Sequence, residues 1–243
     1  MKKILFTLLF AVIGLALNAR SIDLSQNESA NCYMVKAGKA YSFRVDIKGN
    51  GVETLGHSAV IDITTIKGVK VLWEDRDIVD NSSLKLNGSY LIFNTVRTSG
   101  SGNAVIGVFS DKECSDGKCL WSWHIWLTDA SQMTIGGYTF LDRNLGAYDI
   151  ALGDYGENGC WWQWGRKDPF VGMASYDQND PDDPDRSVWF YKPYDGEWTK
   201  KNTHDKFDGQ RSIPQTIQSP TYFANTSNTQ WQTNYGGEGG NDA

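Results

Sequence analysis

Between Ser21 and Ala130 the sequence is built from strand-sized segments separated by turn residues, and this succession limits the possible folds more than any other feature. Ala40-Tyr41-Ser42-Phe43-Arg44-Val45-Asp46-Ile47 alternates apolar and polar side chains, as does Val60-Ile61-Asp62-Ile63-Thr64 before the turn residues Lys67-Gly68. Successive residues of a strand point to opposite faces, so this alternation marks a sheet with one face on a core. Further runs follow at Val69 to Glu74, at Tyr90 to Phe93 after Asn87-Gly88, at Ala104 to Phe109 and at Leu120 to Leu127. No helical periodicity competes with them. Short strands at close intervals, punctuated by Gly and Asn, predict a β-sandwich over residues 20–130. In the last run Trp121, Trp123 and Ile125 share one face, and Ser122, His124 and Trp126 share the other. His124 reads as a strand residue hydrogen-bonded beside its Trp neighbours.

The first 19 residues stand apart from this pattern. Lys2 and Lys3 precede a 14-residue apolar run, Ile4 to Leu17, and Leu17-Asn18-Ala19 offers a small-residue cleavage site. A membrane-spanning helix needs about 20 apolar residues, so this run reads as a secretory signal peptide. The mature chain then carries no membrane span and is secreted or held at the cell surface. Losing Lys2 and Lys3 takes the formal charge from -6 to -8. An acidic chain lacks the basic face that phosphate backbones require, which excludes nucleic acid as a partner.

Export changes the meaning of the four cysteines. In an oxidising compartment an even number favours disulfides, and four allow three connectivities. Cys114 and Cys119 flank the turn-like Ser115-Asp116-Gly117-Lys118, so a cross-strand bridge there is geometrically reasonable. Cys32 and Cys160 pair by elimination. A zinc reading of Cys114, Cys119 and His124 lacks a second ligand pair, and no metal is expected.

Beyond Ala130 the texture becomes loop-rich. Gly136 to Ala147 looks like a short strand running into a turn. Cys160-Trp161-Trp162-Gln163-Trp164-Gly165-Arg166-Lys167-Asp168-Pro169-Phe170 is an aromatic cluster ending in charged residues. A second aromatic group follows at Trp189, Phe190, Tyr191, Tyr194 and Trp198. Asp177, Asp180, Asp182, Asp183 and Asp185 lie in an acidic loop that lacks the spacing of an EF-hand. A smaller second domain over residues 131–243 is the economical reading.

Five segments carry a resemblance: Ala30-Asn31-Cys32-Tyr33-Met34-Val35, Gly102-Asn103-Ala104-Val105-Ile106, Trp121 to Trp126, Leu141-Asp142-Arg143-Asn144-Leu145-Gly146-Ala147, and Gln163 to Phe170. In that order they resemble secreted Bacteroidetes surface proteins of the fimbrillin-like kind, or those with the Fibrobacter succinogenes major paralogous domain. The resemblance implies a mainly β chain, with an N-terminal β-sandwich followed by a partial, loop-rich α+β domain similar to the C-type lectin-like fold. Such proteins usually continue into a D-P-C-P-x-G-W/Y-x-V-P segment. Its absence before Ala243 implies that the second domain is C-terminally truncated.

No nucleophile elbow, zinc-protease helix motif, phosphate-binding loop or dinucleotide fingerprint is present, so neither a catalytic residue nor a cofactor is expected. The enzymes that generate formylglycine are similar in fold to C-type lectin-like domains, but their chemistry depends on late cysteines, and none follows Cys160. Binding is the better class. Aromatic faces stack on sugar rings when a few polar groups converge beside them. Trp161, Trp162 and Trp164 with Arg166 and Asp168 have that chemistry and are the candidate ligand-binding set. The alternative is that these Trp fill a small core while Arg166 and Asp168 fix a loop. The expected function is non-enzymatic adhesion or binding of a glycan or surface protein; the other reading is a structural subunit of a surface fibre.

Overall fold

The computed structural model describes residues 21–53, 58–97, 100–150, 155–162, 166–170, 188–191, 199–202 and 213–221. The chain is mainly β. Its frame is a pair of four-stranded sheets. The first contains β1 (Ile22–Asp23), β3 (Ala40–Arg44), β6 (Tyr90–Thr95) and β5 (Val79–Asn87), in that spatial order. The second contains β2 (Cys32–Val35), β8 (Cys119–Leu127), β7 (Gly102–Phe109) and β4 (Gly68–Glu74). β1 runs parallel to β3 and β2 parallel to β8, while the other pairs are antiparallel.

Inward-facing residues of both sheets form the main core, with Tyr33, Phe43, Phe93 and Trp123 at its centre. Phe43 lies 5.0 Å from Tyr33 and 5.1 Å from Trp123, centroid to centroid. Trp123, Phe43, Phe93, Leu91 and Ile106 are fully buried. Each such side chain contributes roughly 1.5–3 kcal/mol when removed from water. The Trp123 Nε1–H, enclosed by this apolar set, has no hydrogen-bond partner among the described residues.

Two local departures from alternation have physical causes. The expected strand at Val60 to Thr64 shrinks to one bridge, Ile47 to Val60, followed by a 3-10 turn at Ile63–Thr65. Asp62 causes this, because its carboxylate accepts the Thr64 N–H and Oγ1–H at 2.9 and 2.8 Å and so caps the turn. In β4 the register shifts between Val71 and Trp73. Val71 belongs to the main core, whereas the bulge turns Leu72 and Trp73 to the opposite face.

After the sandwich come the hairpin β9 (Gln132–Ile135) and β10 (Tyr138–Leu141), then the two-residue strands β11 (Trp161–Trp162) and β12 (Pro169–Phe170). Gly136 and Gly137 both have positive φ, +60° and +86°, as a tight two-residue hairpin turn requires. β13 (Val188–Tyr191) pairs with β14 (Thr199–Asn202), and α1 is Ile213–Gln218. Among the described residues no helix is long and apolar enough to cross a membrane.

Candidate functional site

Every residue of β7 is buried, and β8 is buried from Ser122 to Leu127, so the second sheet is covered on both faces. Its inner face meets the first sheet. Its outer face carries polar side chains: Ser122, His124 and Asn103 are each about 1% exposed. Cross-strand register places Cys32, His124, Val105 and Trp73 in one row, and Met34, Trp126 and Asn103 in the next.

Main chain from residues 144–170 lies on these rows. Ala147 N–H bonds to Asn144 O at 3.0 Å, closing a turn in which Gly146 has φ +84°. Only glycine adopts that conformation cheaply, and a Cβ there would also collide with Cys160 Sγ. The turn presents successive carbonyls to the sheet. Gly146 O accepts from Asn103 Nδ2 at 2.9 Å, Ala147 O from Trp126 Nε1 at 3.2 Å, and Tyr148 O from Ser101 Oγ at 2.7 Å. Cys160 N–H bonds to Leu145 O at 3.0 Å, and its side chain packs with Val105, Trp73 and Cys119.

A second anchor lies at Ser122. Asp168 Oδ1 accepts from Ser122 Oγ and from Lys167 Nζ, each at 2.7 Å, and Lys167 Nζ also donates to Ser122 O at 3.0 Å. The Lys167 ammonium lies 4.4 Å from the Trp121 ring centroid. Arg166 Nη2 donates to Pro220 O at 2.6 Å, and its guanidinium lies 4.7 Å from the Phe170 ring. Of the candidate ligand-binding residues, Arg166 and Asp168 are therefore buried and bonded to the protein itself. Trp161 and Trp162 are 36% and 37% exposed on β11, with the Trp162 ring edge-on to His124 at 6.1 Å. Trp164 lies outside the described residues, as do the acidic loop, Tyr194 and Trp198. Of Trp189, Phe190 and Tyr191, only the backbone of β13 is described.

The polar row forms a chain of side chains. Cys32 Sγ lies 3.2 Å from His124 Nδ1, and His124 Nε2 lies 2.9 Å from Asn103 Oδ1. Asn103 Nδ2 donates to Asp75 Oδ2 at 2.8 Å as well as to Gly146 O, which fixes the amide with its oxygen toward the imidazole. Nε2 must then carry the imidazole hydrogen, and Nδ1 accepts from the Cys32 thiol. Asp75 also accepts from Asn103 N–H at 2.6 Å and from the Tyr148 side chain. Burial pushes the Cys32 thiol up to about 12 and the His124 imidazole down to about 3. Thiol, imidazole and amide stand in the order of nucleophile, base and orienting group. At rest the pair is nevertheless a neutral thiol and a neutral imidazole, without the activated thiolate of a nucleophilic cysteine.

The four cysteines carry free thiols, and Cys114 packs beside the cluster that holds Cys119 and Cys160. His124 is engaged by Cys32 and Asn103 and does not join Cys114 and Cys119. Among the described residues no group of three or more His, Cys, Asp or Glu could hold a metal ion. Sequence reasoning missed the role of Asn103, Ser122 and Lys167. Polar residues alternating with Trp in a strand were the available signal. It also missed the hairpin β9–β10, where Met133, Ile135, Tyr138 and Phe140 are 42%, 61%, 72% and 51% exposed.

Comparison with known protein families, with curated proteins and with solved structures finds no match to this chain.

Proposed function

We propose that this is an exported, non-enzymatic binding or adhesion protein of the cell surface, whose exposed aromatics take a glycan. The observation that carries this reading is the outward placement of Trp161, Trp162, Tyr138 and Phe140 on short strands anchored to a fully packed frame. Large aromatic faces left to solvent offer apolar area together with a polar handle, the combination that sugar rings use. Arg166 and Asp168 serve the site from below, by fixing the segment that carries the Trp pair. Export rests on the leader at residues 1–19, and the resemblance to fimbrillin-like surface proteins agrees with it.

A fibre subunit is the second reading, favoured by the hairpin β9–β10, which forms a two-stranded sheet of its own. Its cross-strand pairs Tyr138 with Ile135 and Phe140 with Met133 line one apolar face, beside edges that could accept a neighbour's strand. Titration with a panel of bacterial and host glycans, followed by Trp fluorescence, separates the two. The glycan reading predicts saturable quenching that W161A and W162A abolish. No change at saturation, with self-association that Y138S and F140S reverse, would replace it with the fibre reading. An intact mass of the exported protein beginning at Arg20 is expected; a mass retaining the leader would remove the export reading.

A further inference from the structure

We propose that Cys32 and Cys160 are a dithiol that closes into a disulfide across the outer face of the second sheet, with His124 as the base that takes the Cys32 proton. This goes beyond the binding reading and does not depend on it. Three observations converge. Cys32 and His124 are cross-strand neighbours on β2 and β8, with Sγ and Nδ1 3.2 Å apart. Cys160 is held over the same row by its N–H bond to Leu145 O, and its side chain packs on Val105, the residue paired with His124 on its other side. Among the cysteines, Cys160 interacts electrostatically with Cys32, whereas Cys119 interacts with Cys114. Of the three possible connectivities this geometry selects Cys32 with Cys160 and Cys114 with Cys119.

The hydrogen-bond chain defines the chemistry. Because the Asn103 amide oxygen holds the hydrogen on Nε2, the Nδ1 lone pair faces the Cys32 S–H. Cys32 is partly exposed and Cys160 is buried, so an external oxidant reaches Cys32 first. With a low-molecular-weight disulfide as oxidant, Cys32 passes its proton to His124 and its sulfur attacks one oxidant sulfur. The oxidant S–S bond breaks, one thiolate leaves, and that thiolate recovers the proton. The Cys160 sulfur, losing its own proton, then attacks Cys32 Sγ and expels the second oxidant thiol. Two protein thiols are oxidised by two electrons and one oxidant disulfide is reduced to two thiols. The groups facing His124 are Cys32 from β2, Asn103 backed by Asp75 from β7 and the end of β4, and Trp162 from β11; the Lys167 and Asp168 pair sits at Ser122, two positions along β8. The product would tie an edge strand of the sandwich to the segment that carries the exposed Trp pair.

The full chain, reduced and then exposed to glutathione disulfide, is quenched with acid, alkylated under denaturing conditions and digested. The expected result is a linked peptide pair containing Cys32 and Cys160. Alkylation of both, or Cys160 linked to Cys114 or Cys119, overturns the pairing. For the base, H124Q is expected to slow closure by about tenfold or more, at or below the low end for general bases because a buried imidazole is a weak one. An unchanged rate in folded H124Q overturns the role of His124. Should H124Q fail to fold, the unmodified chain decides. Closure that stays nearly flat from about pH 5 to 8 supports the internal base, and a tenfold rise per unit, the behaviour of unassisted thiolate exchange, overturns it.

Discussion

The inner face of the sheet β2-β8-β7-β4 is covered by side chains of the opposing sheet, whereas its outer face is covered by main chain from residues 144–170. Both faces exclude water, yet they ask different things of the sequence. An apolar contact is non-directional, so the inner face needs only hydrophobic residues of about the right volume. A covering main chain brings carbonyl oxygens that have lost water, and each must meet a donor at hydrogen-bond distance. Ser101, Asn103, Ser122 and Trp126 supply those donors. The outer face is thus specified by direction as well as by volume.

The comparison can be broken first where burial is largest. Phe43→Ala removes a fully buried ring at the centre of the inner core and should cost about 3–5 kcal/mol in chemical denaturation. Trp123→Phe sharpens the contrast: it discards a buried donor that has no partner, so it should cost far less than Phe43→Ala. On the outer face Asn103→Ala strands His124 Nε2–H and Gly146 O, and should cost about 2–3 kcal/mol although few atoms are removed. Asn103→Asp is expected to be no better, because it places a second carboxylate against Asp75.

Acid should also separate the faces. The His124 pKa is lower in the folded chain, at about 3, than the roughly 6.5 of an unfolded histidine, so the unfolded state binds the extra proton between those values. Stability is full above the unfolded value and falls as pH drops through it, by about 1–1.5 kcal/mol between roughly pH 7.5 and 5.5. Burial raises the Asp75 and Glu74 carboxyls, which acts in the opposite sense at lower pH, so the slope is read as the difference between the native chain and H124Q. The smallest effect belongs to the surface. Asp129 pairs with Arg143 at 2.7 Å but is 80% exposed, and Asp129→Ala should shift stability by no more than about 0.5 kcal/mol.

The sandwich was legible because its strands alternate, and the face assignment of Trp121, Trp123 and Ile125 against Ser122, His124 and Trp126 could be read directly. Three things were not legible. The bulge in β4 reverses the side on which Trp73 lies, and no composition signal marks it. β5 contains the polar run Asp80-Asn81-Ser82-Ser83, half solvated at a sheet edge, so it carries little apolar pattern. The partners of Asn103 and Ser122 come from segments 43 and 46 residues away, a separation that local patterning does not encode. The charged end of Gln163 to Phe170 looked like ligand chemistry. In the structure Arg166, Lys167 and Asp168 bind the protein's own backbone and Ser122.

The central claim is that directional bonds to Asn103 and Ser122 hold the covering segment on the outer face, separately from the apolar core beneath. Amide hydrogen exchange of the native chain against Asn103→Ala tests this most directly. The account predicts that the Ala147 and Cys160 amides lose protection in the variant while amides of β3 and β6 keep theirs. Uniform loss across both sheets, or unchanged protection at Ala147 and Cys160, would contradict it.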